Sequence, residues 1–237
     1  MEKTIRFIPK NVPYLIAGFL SENEQKIYED AIKKFNNERA KNSLDISIKG
    51  SNLFKVLLLN QVGIRTATLP ELDQIIQLDN NFLNGTYEDV PSLVLRSNED
   101  TYERNDYLAE TLAKLIKKRK FNEPVVMNGL ELVEDGNSFY GLNFKRGKTF
   151  DYFEAPELNN KNNQQKFVRQ DERGMPIFDK KGNRTLYTRD SGLSGLYLGR
   201  GLDLYSDGGS LAYSIDYGRV VVVGGEATSQ KIVKRKQ

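Results

Sequence analysis

The chain has no histidine and no cysteine, which narrows the chemistry open to it. Without His, the usual general base and the triads built on it are excluded. Without Cys there is no disulfide, no thiolate nucleophile and no thiolate-ligated zinc. A metal site would have to be made of oxygen ligands alone. Carboxylates occur in close pairs at Glu131/Glu134, Glu154/Glu157 and Asp171/Glu172. Paired acids catalyse only where a cleft drives their pKa values apart, and no sign of one accompanies these pairs, which read as solvated faces. Gly199-x-Gly201-x-x-Leu204 lacks the third glycine of a dinucleotide-binding turn and opens no helical pattern. The expectation is a protein that is not an enzyme, with no catalytic residue, no metal and no cofactor.

The chemistry that remains is recognition, and it is concentrated between Gly182 and Gly225. This stretch contains no Lys, Glu, Gln, Met, Trp, Phe or Pro, although Lys, Glu and Gln are abundant elsewhere. A frame of Leu, Ser, Ala and Val is interleaved with Tyr, Gly, Asp and Arg. Tyr offers a large amphipathic contact area with few torsions to freeze, and Gly and Ser offer adaptability. Leu196/Leu198 and Leu202/Leu204 form two Leu-x-Leu pairs. Alternation at period two puts these leucines on one face of a strand and Tyr197, Asp203 and Tyr205 on the other. The candidate ligand-binding set is Tyr197, Gly199, Arg200, Gly201, Asp203, Tyr205, Asp207, Gly208, Gly209, Tyr213, Ile215, Asp216 and Tyr217. Among these, the tyrosines would be the anchors, and Arg200 and Asp203 would set electrostatic selectivity.

Every residue type in that set can be encoded by a codon ending in a pyrimidine. The five that cannot are all absent between Gly182 and Gly225. Randomising the adenines of an Asn codon yields such a palette. From Arg189-Asp190-Ser191-Gly192-Leu193-Ser194 through Arg219-Val220-Val221-Val222-Val223, the chain resembles the variable region of diversity-generating retroelement target proteins. The resemblance implies a hypervariable surface rewritten by an error-prone reverse transcriptase, carried on a C-type lectin fold that keeps its shape while the ligand surface changes. It also implies a protein or other macromolecular ligand. Gly208-Gly209-Ser210 stands where many such proteins have a Gly-Gly-Ser-Trp-like stretch, but this chain has no Trp. It also lacks the paired calcium motifs of sugar-binding lectins, so calcium-dependent sugar binding is not expected.

The elements that must position these residues read as α+β. Thr4–Ile8 alternates like a short strand. Ser21 and Glu24 form a capping box before a helix with Ile27, Tyr28, Ala31, Ile32 and Phe35 on one face, and Thr68 and Glu71 form a second. Phe54–Leu59 fits either a buried strand or a short helix. Ser92–Arg96 reads as a strand and Asn105–Lys120 as a helix. After Glu123 strands dominate: Val125–Met127 and Leu130–Val133, a turn at Asp135–Ser138, then Phe139–Phe144. Asn159–Gln165 is a polar loop and Asp179–Asn183 a turn. Arg219 with Val220–Val223 reads as a closing central strand buried on both faces. The expected organisation is an N-terminal mixed helix and strand region over residues 1–90. A C-type lectin-like domain would follow over residues 91–237, with its variable segment at about 189–223.

With 237 residues and a net charge of +3, the chain can bury a core without being driven toward nucleic acid. Basic clusters at residues 117–120 and 231–236 support the alternative of a nucleic-acid-associated protein, against which stand a helix end and a frayed terminus. No apolar run approaches the roughly 18–20 residues of a spanning helix. Val12–Leu20, broken by Pro13 and Tyr14, reads as core rather than signal peptide. Both a cytoplasmic and a virion-associated location stay open.

Overall fold

The computed structural model describes residues 4–7, 15–45, 53–100, 102–212 and 218–224. The first half runs β1 (Thr4–Phe7), β2 (Leu15–Phe19), α1 (Glu22–Ile32), α2 (Glu38–Leu44), α3 (Leu53–Gln61), α4 (Leu69–Leu78), β3 (Tyr87–Leu95) and α5 (Asp106–Leu115). Strands follow: β4 (Val125–Glu134), β5 (Leu142–Glu154), β6 (Lys166–Gln170), β7 (Pro176–Phe178), β8 (Arg184–Thr188), β9 (Leu193–Leu198), β10 (Leu204–Ser206), β11 (Gly218–Arg219) and β12 (Val221–Gly224). The fold is α+β, and no helix of the described residues is long and apolar enough to cross a membrane.

Both capping boxes form. Ser21 accepts from the Glu24 N–H while the Glu24 carboxylate accepts from the Ser21 N–H at 2.8 Å. At α4 the Glu71 carboxylate takes the Thr68 N–H at 3.0 Å, and Pro70 sits in the first turn, where a missing N–H costs nothing. α3 resolves the ambiguity of the Phe54–Leu59 run in favour of a helix. Its residues Leu53 to Leu59 are all buried, so no polar face exists to betray the 3.6-residue period. α5 is shorter than its sequence pattern. It ends at Leu115, because Lys117 turns left-handed (φ 55°) and the Lys118 N–H closes back on the Ala113 carbonyl.

Nine strands share one sheet, in the order β5-β4-β3-β9-β10-β8-β6-β7, with β11 beside β3. The β10–β8 and β11–β3 pairs are parallel and the rest antiparallel. One face of β3 and β4 (Leu93, Leu95, Val125, Met127) packs under α3 and α5 through Leu53, Phe54, Leu57, Leu108 and Leu112. The other face (Val90, Val94, Val126, Leu186, Leu196, Leu198, Leu204) packs against Leu69, Leu72 and Ile75 of α4 and against Val221 and Val223.

β12 differs from its sequence reading. Among the described residues it is an outer strand of a separate three-stranded sheet, β1-β2-β12, with a bridge from Thr66 to Val222 on its far side. Val221 and Val223 are buried, whereas Val222 and Gly224 are only partly so. β-branched residues suit such a strand whether one face or both are covered, so the valine run alone does not separate the two cases. The boundary expected between residues 90 and 91 falls inside β3, and one apolar cluster joins Tyr28, Ala31 and Leu57 to Leu95, Leu132 and Leu142.

Candidate functional site

Leu-Tyr pairs at Leu186-Tyr187, Leu196-Tyr197 and Leu204-Tyr205 send leucine inward and tyrosine outward on three adjacent strands. All three leucines are at most 1% exposed, while the tyrosines are half-buried. Strand register lines the rings up. Tyr205 lies opposite Tyr197 across the antiparallel β9–β10 pair and opposite Tyr187 across the parallel β10–β8 pair. On the other side of β9, Tyr197 faces Asp89, which places Tyr87 on the diagonal.

The result is a row of four tyrosines, three of them stacked and the fourth tilted. Ring centroids are 4.6 Å apart for Tyr187–Tyr205 and 5.0 Å for Tyr197–Tyr205, with interplanar angles of 17° and 9°. Tyr87 follows at 6.1 Å and 40° from Tyr197. The Arg200 guanidinium lies 5.4 Å from the Tyr87 centroid, a cation–π distance. Burial, reinforced by Asp203, pushes the Tyr205 phenol up to about 12. Burial, then Asp207 and Asp89, raises that of Tyr197 as well. Both therefore keep their protons at neutral pH and present O–H groups that donate and accept.

The remaining predicted residues fall around the β9–β10 turn and the strand that leaves it. Gly199 lies under the Tyr205 ring; a Cβ there would come within 2.4 Å of a ring carbon. At Gly201, Gly208 and Gly209 the nearest atoms to an added Cβ lie at 3.5–3.7 Å, so these positions have room for a side chain. Gly192, outside the predicted set, has none. Its φ is +75° and a Cβ would sit 2.3 Å from the Asp100 carboxyl. Arg200, Gly201 and Asp207 are exposed. Asp203 has a scaffold role that its sequence context did not reveal, since its carboxylate accepts the Thr185 N–H at 2.5 Å. Tyr213, Ile215, Asp216 and Tyr217 lie outside the described residues.

Beneath the tyrosines is a polar layer that the sequence reading missed. Arg96 is 6% exposed. It donates to Ser194 Oγ at 3.0 Å, Thr188 Oγ1 at 2.8 Å and Ser206 Oγ at 2.6 Å, one hydroxyl from each of β9, β8 and β10. Burial pulls its guanidinium down to about 9. Beside it, Asp100 accepts from the Leu193 N–H at 2.6 Å and the Tyr102 N–H at 2.9 Å, and pairs with Arg189 at 2.7 Å. Asn105 donates to the Gly209 carbonyl at 2.5 Å and accepts from the Tyr140 hydroxyl at 2.9 Å. Tyr187 is also outside the predicted set, although the repeated Leu-Tyr pair is a local signal that marks it. Tyr87, Arg96, Asp100 and Asn105 carry no local signal, because only the strand pairing brings them here.

Several charges named in the sequence reading are engaged. Lys118 pairs with Glu154 and lies over Phe121, Glu131 pairs with Lys145, and Asp171 and Glu157 share Arg173. The 231–236 cluster lies outside the described residues. Among the described residues no group of three or more carboxylates is placed to hold a metal ion. Comparison of the chain with protein-family models, with curated proteins and with solved structures finds no match.

Proposed function

We propose that this chain is a non-catalytic ligand-display protein, whose binding surface is the tyrosine stack with the turn and strand around it. The observation that carries the reading is the two-faced arrangement of β8, β9 and β10. Leu186, Leu196, Leu198 and Leu204 are locked into the core, while Tyr187, Tyr197 and Tyr205 stack on the opposite face. A frame of this kind keeps its shape while the outward residues change. The glycines support the same division. Gly201, Gly208 and Gly209 have space for other side chains, whereas Gly192, flanking the set, is fixed by its backbone and by Asp100. With the sequence resemblance, this favours a diversity-generating retroelement variable protein on a C-type lectin-like scaffold, with a protein or other macromolecule as ligand. Aromatic anchors with adaptable polar neighbours are how such surfaces reach affinity without a deep pocket.

The gene tests the reading. Pyrimidine-ending codons are expected at the display positions. A nearby imperfect copy should carry adenines at those positions, beside a reverse transcriptase gene. A genome without that copy removes the diversification reading. The nucleic-acid alternative has less support, since Lys118 in the described basic cluster is already paired with Glu154.

A further inference from the structure

The β9–β10 turn carries Arg200 and Gly201 at its exposed tip, and its backbone is built on a strained residue. The Leu202 N–H donates to the Gly199 carbonyl and the Gly199 N–H to the Asp203 carbonyl, each at 2.9 Å, which closes a three-residue loop between the strands. Such loops end on a left-handed residue, ordinarily glycine. Here the left-handed residue is Leu202, with φ 66°, although Gly201 stands beside it. A leucine keeps that conformation only where its surroundings fix it. We infer that Arg184, set in place by Asp73, is a positioning residue of the ligand-binding surface. It holds the β9–β10 turn prebuilt, so that the side chains at 200 and 201 can be exchanged over an unchanged backbone. The inference rests on the display reading and adds to it two residues, from β8 and α4, that lie outside the display positions.

The contacts of Arg184 are the reason. Its Nε donates to the Leu202 carbonyl at 2.8 Å. Through Nη1 the same guanidinium pairs with Asp73, both side chains being 6% exposed, and it lies 4.5 Å from the centroid of the buried Phe167 ring. Asp73 also accepts from Gln77, one turn further along α4, at 3.0 Å. One edge of the guanidinium is therefore fixed by α4, and its Nε is left aimed at the turn. Two further contacts grip the turn from outside the display positions. The Gly85 N–H donates to the Arg200 carbonyl at 3.0 Å, and the Thr185 N–H donates to the Asp203 carboxylate. Arg184 and Gly85 both take main-chain carbonyls, which an exchange of side chains at 200 and 201 leaves in place. Asp203 is the exception, since its side chain is part of the grip. A turn already in its binding shape loses less freedom on binding than one that must order around each ligand.

The test uses the whole chain in two arms. In the first, amide hydrogen exchange is followed by nuclear magnetic resonance in the parent, in Arg184→Lys and in Leu112→Ala, which destabilises from the apolar cluster on the other face of the sheet. A lysine can meet Asp73 but has no second donor to reach the Leu202 carbonyl at the same time. Arg184→Lys should speed exchange at the Leu202 and Gly199 N–H groups about tenfold or more beyond any change at Val94 in β3, and Leu112→Ala should not. In the second arm, the chain is diversified at residues 200, 201, 207, 208 and 209 and selected for binding to lysozyme, used as a defined probe. Selected binders should lose about tenfold or more in affinity on Arg184→Lys, because a smaller fraction of molecules holds the binding shape, and keep within about threefold on Leu112→Ala. Turn exchange unchanged by Arg184→Lys would overturn the inference. So would equal losses of affinity in the two variants, since Arg184 would then act through overall stability alone. A diversified chain that folds but yields no binders would remove the display reading, and the binding role of Arg184 with it, even where the first arm shows the turn loosened.

Discussion

At the scale of single residues, the tyrosine face is coupled side chain to side chain. Gly199 and Tyr205 are the clearest pair, because the ring occupies the space a Gly199 Cβ would need. Gly199→Ala forces the ring off Tyr187 and Tyr197, and an overpacked contact of this kind costs about 1–3 kcal/mol. Tyr205→Ser removes the obstacle and loses the stacking. The double variant is therefore expected to be more stable than the sum of the singles by about 1 kcal/mol, read from urea midpoints in a double-mutant cycle. Strict additivity would mean that the ring does not rest on Gly199. Glu88 supplies a second residue-scale prediction. It is 1% exposed, and among the described residues neither carboxylate oxygen meets the geometry of a hydrogen bond. Burial raises its pKa well above the ordinary 4.5, with the neighbouring Thr86 hydroxyl opposing, Asp89 adding and Arg219 opposing. Below pH 4.5 both folded and unfolded chains hold the proton. Above it the unfolded chain releases the proton first, so this group lowers stability as pH rises, until the folded pKa is passed. Glu88→Gln removes that slope. Its stability relative to the parent should climb as pH rises above about 4.5, by up to about 1.4 kcal/mol per pH unit, until the folded pKa is passed; a flat difference would show that Glu88 is ionised in the folded protein.

At the scale of elements, one buried cation bonds to all three strands that carry the stacked tyrosines. Arg96 reaches hydroxyls on β8, β9 and β10 from the face opposite the tyrosines, and each of Thr188 and Ser206 directly follows a stacked tyrosine. Hydrogen bonds to a charged group contribute about 1.5–3 kcal/mol each when buried. Arg96→Met is therefore expected to destabilise by roughly 3–5 kcal/mol and to weaken the near-ultraviolet circular dichroism of the tyrosine row. A loss below 1 kcal/mol would show that the hydroxyls satisfy one another without it. This clamp also marks what the sequence makes legible. Capping boxes, Leu-x-Leu alternation and turn residues act over a few positions, so α1, α4, β9 and the β9–β10 turn are readable from the chain alone. α3 is not, because a helix buried on every side has no polar stripe. Neither are the crossovers that set β3 beside β9 and β10 parallel to β8. The inner half of the tyrosine stack was visible as alternation. Tyr187 shares the Leu-Tyr pattern, but Tyr87 and the Arg96 support depend on pairings between residues about a hundred positions apart, which no local pattern encodes.

At the scale of the whole molecule, the described elements before residue 91 pack against the sheet that carries the tyrosine row. β12, which follows that row in the chain, pairs with β2, and α3 covers β3 and β4. A chain starting at residue 91 would begin inside β3 and lack both partners. Leu93, Leu95, Val125, Met127, Leu130 and Leu132 would lose much of their cover. At roughly 1.5–3 kcal/mol for each large apolar side chain fully uncovered, even partial exposure of these six amounts to several kcal/mol, and complete exposure to on the order of 10. A folded domain has a net stability of only about 5–15 kcal/mol. The intact chain is therefore expected to unfold in urea with one cooperative transition that tyrosine fluorescence and far-ultraviolet circular dichroism report at the same midpoint. Residues 91–237 alone should show no cooperative transition and should bind a hydrophobic dye. Adding residues 1–90 in trans should restore part of the transition, because the missing surface is then supplied. If the fragment instead unfolds cooperatively at the midpoint of the intact chain, the display half carries its own core, and the packing of α3 on β3 and β4 contributes little to holding the tyrosines in place.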